Sequence, residues 1–301
     1  MFFNRRSSTS QGGDEASSNP PPTIRGPIRS LDALGLSHLD PVQRAGLRDD
    51  VLSGFFQNDT SEVFTGVPLG PEDILVDVGF GSGGPLQFCS RFAGQIFALD
   101  LSINALKFAE KNALIAKTEN ISFIRASAEE IPLEHAMATR VVCLEVLEHV
   151  QDPHKVMAEL VRIGQPGCIY LISVPGQSSE ELMRQIAPPE MYEVPHHIRI
   201  FSEAIFRELV LDSGLQIVSE SKSGSFSTFF VSLYWQKFGV KPGQAFEAID
   251  HQLSHQDPLL NDWAKAWNFL LDLPSGPHIK NLFDQFLPKS QIIVARKPHD
   301  E

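Results

Sequence analysis

The stretch Ile74-Leu-Val-Asp77-Val-Gly79-Phe-Gly81-Ser-Gly83-Gly84-Pro85 leaves few folds open to this chain. An apolar run of strand length ends in an acid, a glycine turn follows, and a proline opens the next segment. Glycines at 79, 81 and 83 let backbone approach a ligand closely at the carboxyl end of a parallel strand. Pro85 suits a first helical position, where its missing N–H would have no partner anyway. Taken alone, the stretch also fits an ordinary strand–turn–helix corner.

The rhythm around it narrows the choice. Strand candidates at 74–80, 95–100, 121–127, 140–145 and 168–175 alternate with helix candidates near 85–93, 103–117 and 153–163. A further strand is expected near Leu215 to Glu220 and a last one at Ser290 to Ala295, making seven. In the helix at 153–163, Val156, Met157, Leu160 and Val161 make one apolar face, which Gly164 and Pro166-Gly167 bring to a stop. Such alternation predicts right-handed crossovers and a doubly wound α/β fold with a mostly parallel sheet. Ligands on these sheets sit outside the carboxyl ends of strands, at the switch point. The polar motifs all fall at such ends: Asp77 and the glycine turn, Asp100, Ser127-Ala128-Glu129-Glu130, and Glu145-Val-Leu-Glu148-His149.

In these four ordered motifs the sequence resembles the class I S-adenosylmethionine-dependent methyltransferases, in particular their small-molecule branch, from about Asp73 to about Gly214 and again in the last strand. The resemblance implies S-adenosyl-L-methionine as cofactor. It assigns Asp77 and the Gly79 and Gly81 backbone to the cofactor's amino-acid portion, Asp100 to the ribose hydroxyls, and Leu101 to one face of the adenine. Ser127 and Ala128 would meet the adenine edge, with Ser127 where many relatives carry Asp, and Glu145 would close the methionine side or face the substrate.

Methyl transfer from a sulfonium needs alignment and sometimes a base. His149, just past the fourth strand, is the first candidate base and His197 the second, because imidazole titrates near working pH. A structural role is the alternative for each. Glu148 reads as a solvated or loop-capping acid. The set Glu145, Glu148, His149 and His197 offers ligands for a hard or borderline divalent ion. It resembles the pattern of small-RNA 2′-O-methyltransferases, and its Glu-x-x-Glu-His part recurs in ubiquinone-pathway O-methyltransferases. The same letters occur in metal-independent relatives, and the expectation here is catalysis without a metal.

Composition bounds the partners. A net charge of −12 argues against a broad nucleic-acid surface. Cys89, Cys143 and Cys168 lie far apart in apolar contexts, which fits core thiols of a reducing compartment, so the cytoplasm is expected. No apolar run reaches the roughly 18 residues of a membrane span. Oligomeric state is not legible.

The organisation expected is a disordered Ser/Gly/Pro-rich tail at 1–29, an N-terminal helical cap at 30–70, a Rossmann-like core at 71–223, a helical insertion at 224–286, and the last strand with the C-terminus at 287–301. Within the cap, Leu47, Val51, Leu52 and Phe55 fall at helical spacing. The insertion is rich in rings, among them Phe226, Phe229, Phe230, Tyr234, Trp235, Trp263 and Trp267. These rings favour an apolar or ring-bearing substrate, although aromatics at helical spacing also serve as core. The function implied is methyl transfer to O, N or C of a small metabolite, with a non-catalytic cofactor- or partner-binding subunit as the alternative.

Overall fold

A computed structural model of the chain describes residues 39–81, 83–194, 196–239 and 256–299. The expected tail at 1–29, the first part of the cap and Ser82 of the glycine turn lie outside the described residues.

The sheet has seven strands: β4 (Ile74–Val78), β5 (Gln95–Asp100), β6 (Ile121–Arg125), β7 (Ala138–Leu144), β8 (Gly164–Pro175), β9 (Gln216–Ser223) and β10 (Ser290–Arg296). Their order is β6-β5-β4-β7-β8-β10-β9. Pairs from β6 through β8 are parallel, and β10 runs antiparallel to both neighbours. The order therefore reverses between β4 and β7, which is the switch point where a doubly wound sheet opens a crevice.

Strand alternation splits the core between the two faces. Val76, Val78, Tyr170, Ile172 and Ile293 point to one face. Helices α4 (Pro153–Ile163) and α6 (Glu203–Asp212) add Val156, Met157, Leu160, Phe206 and Leu209 to that side. Leu75, Ile96, Leu171, Ile292 and Val294 point to the other face, with Leu86 and Phe88 of α2 (Leu86–Cys89) and Leu106 of α3 (Ile103–Ala116). Each fully buried aliphatic side chain contributes about 1.5–3 kcal/mol. One apolar face differs in detail from the sequence reading: Ile163 takes the buried place in α4 expected of Val161. Pro85 lies one position ahead of α2 rather than inside it.

The N-terminal cap adds a small sheet to the expected helix. Helix α1 (Pro41–Ser53) is capped by Asp40, whose side chain accepts from the Val42 and Gln43 backbone N–H groups, and it ends at Gly54 in a left-handed conformation. Three short antiparallel strands follow, β1 (Phe55–Gln57), β2 (Glu62–Phe64) and β3 (Val67–Pro68). Strands of two or three residues carry too little periodicity to be read from sequence. The buried face of α1 also differs, being Val42, Ala45, Arg48 and Asp49. Two charged residues can be buried there because their partners arrive from the far end of the chain. Arg48 donates to the Asn268 backbone oxygen at 2.9 Å and pairs with Asp272 at 2.7 Å.

Those partners belong to α8 (Pro258–Asp272), which with α7 (Ser225–Phe238) and α9 (Gly276–Phe286) makes up the described part of the insertion. Phe226, Phe230, Tyr234, Trp235 and Trp267 are all buried in a third apolar cluster shared by α1, α7 and α8. These rings fill an apolar cluster between α1, α7 and α8, so they do not identify a substrate. No helix among the described residues is long and apolar enough to cross a membrane.

Candidate functional site

The crevice at the switch point begins with Asp77, inside β4 and 2% exposed. Its Oδ2 is buried without a hydrogen-bond partner among the described residues. Burial, and then the negative charge of Asp100, push its carboxyl up to about 7. The turn above it takes the shape that its glycines allow. Gly79 has φ +72°, its N–H donates to the Leu99 carbonyl at 2.7 Å, and a Cβ there would lie 2.4 Å from Val146 Cγ2. Gly81 has φ +54°, and nothing lies within 4 Å of where its Cβ would be.

Asp100 ends β5 and ties two elements together. Its Oδ2 accepts from the Gly81 N–H at 2.9 Å and its Oδ1 from the Ser102 N–H at 2.8 Å. An ionised carboxylate has about four lone-pair sites, so two acceptor positions are left for a ligand. Leu101 beside it is 63% exposed. Ser127 follows β6, with its hydroxyl accepting from the Glu129 N–H at 3.2 Å. That bond gives Ser127 a local turn role, and Ala128 packs against the core next to it.

On the other side of the crevice the turn after β7 carries Glu145, Glu148 and His149. Glu145 has φ +56°, a strained conformation for a residue with a side chain. Ser173 of β8 donates to its Oε1 at 2.9 Å and Lys289 to its Oε2 at 2.6 Å. Burial raises the Glu145 carboxyl, but the Lys289 ammonium and these hydrogen bonds outweigh it and hold the carboxyl below the usual range. Glu145 is thus a charged acid in an ion pair.

Glu148 is not the solvated acid its sequence context implied. It is fully buried, and neither carboxylate oxygen has a hydrogen-bond partner among the described residues. Burial first, and then the charge of Glu145, push its carboxyl well above the ordinary range. His149 Nε2 lies 3.7 Å from its Oε1.

The chain after β8 brings the second histidine. Gly176 passes so close to Pro288 that a Cβ would lie 2.2 Å from the Pro288 oxygen. That passage leads into α5 (Gln177–Met183) and its buried Glu180. A 3-10 turn at Pro189–Tyr192 then leads to His197, whose Nδ1 lies 2.8 Å from Glu180 Oε2. The backbone N–H of Ile198 donates to the Glu148 carbonyl at 3.0 Å, which seats this loop on the β7 turn. The rings of His149 and His197 meet edge-on, with centroids 4.9 Å apart. One ligand atom from each of Glu148, His149 and His197 lies within 4.8 Å of the others, a spacing that could hold a metal ion.

A family model described as a methyltransferase domain matches residues 76–172. The chain is 31% identical over 124 residues to a ubiquinone biosynthesis O-methyltransferase of Albidiferax ferrireducens, covering 41% of this chain and 49% of that protein. It is 30% identical over 129 residues to the one of Thiobacillus denitrificans, covering 42% and 55%. The chain thus spans about half the length of the curated relatives it matches. Among solved structures it is similar to the 4+2 cyclase SpnF, with a TM-score of 0.52 and 16% identity over 87% of this chain and 98% of that one. A chain in the complex with the Haloferax volcanii methyltransferase activator Trm112 has a TM-score of 0.51 and 19% identity over 77% and 85%. At these identities the structural likeness establishes the fold, which is that of the class I methyltransferases.

The fold brings together Asp77, Gly79, Gly81 and Asp100 on one side of the crevice, and Glu145, His149 and His197 on the other. The sequence reading missed Glu180, Lys289 and Ser173. Glu180 lies in the polar run Gln177-Ser-Ser-Glu-Glu181, which reads as a solvated helix start. Lys289 stands one residue before the last strand, and only the antiparallel pairing of β10 with β8 carries it to Glu145.

Proposed function

We propose that this chain is an S-adenosylmethionine-dependent methyltransferase acting on a hydroxyl of a small molecule. The observation that carries the reading is the buried carboxylate oxygen of Asp77 beneath the glycine turn, which has no hydrogen-bond partner among the described residues. A buried acid without a partner is costly, and a ligand ammonium is a partner that would draw it to the charged form. Asp100, with two acceptor positions left, suits a pair of ribose hydroxyls, with exposed Leu101 and Ala128 flanking an adenine and Ser127 at its edge. When bound, S-adenosylmethionine supplies an electrophilic methyl group. The chain's own work is to align the acceptor and to take its proton, and His149 and His197 are the groups proposed for that step. The ubiquinone-pathway names of the relatives favour oxygen as the acceptor atom. The three buried free thiols fit a reducing compartment such as the cytoplasm.

Transfer of a radioactive methyl group from the cofactor to a panel of phenols and to a small-molecule cell extract tests the reading. Label in the small-molecule fraction is expected. Cofactor binding with no label transferred to any acceptor would favour a non-catalytic cofactor-binding subunit.

A second reading has its own support. Glu148 is buried, without a hydrogen-bond partner among the described residues, and beside two imidazoles, a donor set that fits a divalent ion. Extensive chelation separates the two readings. Activity that survives it supports His149 or His197 as an unaided base, whereas activity lost and then restored by a divalent salt supports the ion.

A further inference from the structure

We propose that Glu180 is the positioning residue of His197, accepting a hydrogen bond from Nδ1 and so leaving the Nε2 lone pair available on the acceptor side of the crevice. The role rests on the function proposed above, in which His197 works as a base or as a ligand. Either task uses an unprotonated ring nitrogen, so the inference holds under both.

Geometry and donor chemistry carry the argument. Glu180 Oε2 lies 2.8 Å from Nδ1. An ionised carboxylate only accepts, so the hydrogen of that bond belongs to the imidazole. A neutral imidazole has one N–H, and with it on Nδ1 the lone pair falls to Nε2. Glu180 is 4% exposed, so little water competes for the carboxylate. The surroundings leave the ring little freedom to rotate away. Tyr192 Oη donates to the Glu180 backbone carbonyl at 3.0 Å, and the Tyr192 ring stands edge-on to His197 with centroids 6.4 Å apart. The backbone N–H of His197 donates to the Met191 carbonyl at 3.0 Å, which fixes the main chain that carries the ring. Edge-on packing against His149 closes the other side. A carboxylate that fixes the tautomer of a working histidine is a recurrent device, and its loss commonly lowers activity 10- to 100-fold.

A test with two independent readouts uses the full chain labelled with 15N-histidine. Long-range 15N–1H spectra are recorded well above the ordinary imidazole range, about pH 8.5. The His197 signals are assigned by their disappearance in H197Q. The wild-type ring should be protonated at Nδ1 alone. Glu180→Ala should lose that preference, and Glu180→Gln should keep it through the amide oxygen. In methyl-transfer assays Glu180→Ala should lower kcat about 10- to 100-fold with the KM for cofactor unchanged, while Glu180→Gln recovers most of the loss. A wild-type ring protonated at Nε2, or at both nitrogens, overturns the proposal. So does a Glu180→Ala chain that keeps the Nδ1 proton, or a Glu180→Gln chain as impaired as Glu180→Ala in both readouts. If the wild-type chain transfers no methyl group at all, the proposed function falls, and the spectra still decide the role of Glu180.

Discussion

Asp77, Gly79, Gly81 and Asp100 come from two successive strands and the turn between them, whereas His149, His197, Glu180 and Lys289 come from four separate parts of the chain. The first group is held by backbone. Positive φ at three glycines shapes the turn, and Asp100 bonds the Gly81 and Ser102 N–H groups. The second group is held by side chains that find each other only once the fold is complete, as Lys289 finds Glu145 and Glu180 finds His197. The methyltransferase-domain match spans the first group and stops before His197, Glu180's helix and Lys289. The comparison teaches that one side of the crevice is a local device, while the other depends on parts of the chain from β7 to the residue before the last strand.

The largest effect that could break this comparison is on turnover. Replacing His149 or His197 by Ala should lower kcat about 10²–10⁴-fold while leaving cofactor affinity unchanged, measured by methyl transfer and by calorimetry. A matching loss of cofactor affinity would mean that the two sides are one unit.

Next comes the anchor of the cap. Lys280 is fully buried, bonded to Asp284 and Ser53, and 3.7 Å from Asp49, so it joins α9 to α1. Lys280→Met removes one partner of a buried ionic cluster and should cost about 3–5 kcal/mol of stability in denaturant unfolding. A loss below 1 kcal/mol would show that the cap is held by its aromatic core alone.

Smaller again is Gly79→Ala. It adds a Cβ 2.4 Å from Val146 Cγ2 at a positive φ, and should cost about 1–3 kcal/mol by the same measurement. Cofactor affinity should fall with it, because the turn must shift.

The mildest effect is a drift with pH. Asp77 is pushed up to about 7 in the free chain, by burial and then by Asp100. The contribution of such a raised carboxyl to stability is complete below its unfolded value of 3.8 and is lost as pH rises through about 7. Binding a cationic amino-acid group favours the carboxylate, so binding should expel a proton below pH 7 and tighten as pH rises to about 7. Calorimetry in buffers of different ionisation enthalpy reads that proton directly. Affinity that is flat from pH 5 to 8 would remove Asp77 from the site.

What the sequence could say follows the same division. Strand ends marked by Asp77, Asp100, Ser127 and Glu145 were legible because an apolar run, an acid and glycines stand next to one another in the chain. His149 and His197 were legible as candidates by residue type. Glu148 was not, since its letter is that of a surface acid while its place is fully buried. Glu180 and Lys289 were hidden because their meaning lies in partners far along the chain. Arg48 and Asp49 in α1 hid for the same reason, their partners Asp272, Trp267 and Lys280 lying in the insertion. The strands of the cap sheet were too short to show a period.

The central claim is that the local side of the crevice binds S-adenosylmethionine through Asp100. Calorimetric titration of S-adenosylhomocysteine into wild type, Asp100→Asn and Asp100→Ala tests it most directly, with Asn keeping one oxygen to accept from the Gly81 or Ser102 N–H. Each lost charge-assisted hydrogen bond should cost about 1.5–3 kcal/mol, roughly a ten- to hundredfold weaker affinity, with Asp100→Ala weaker than Asp100→Asn. Affinity unchanged in Asp100→Ala, with the chain still folded, would contradict the account.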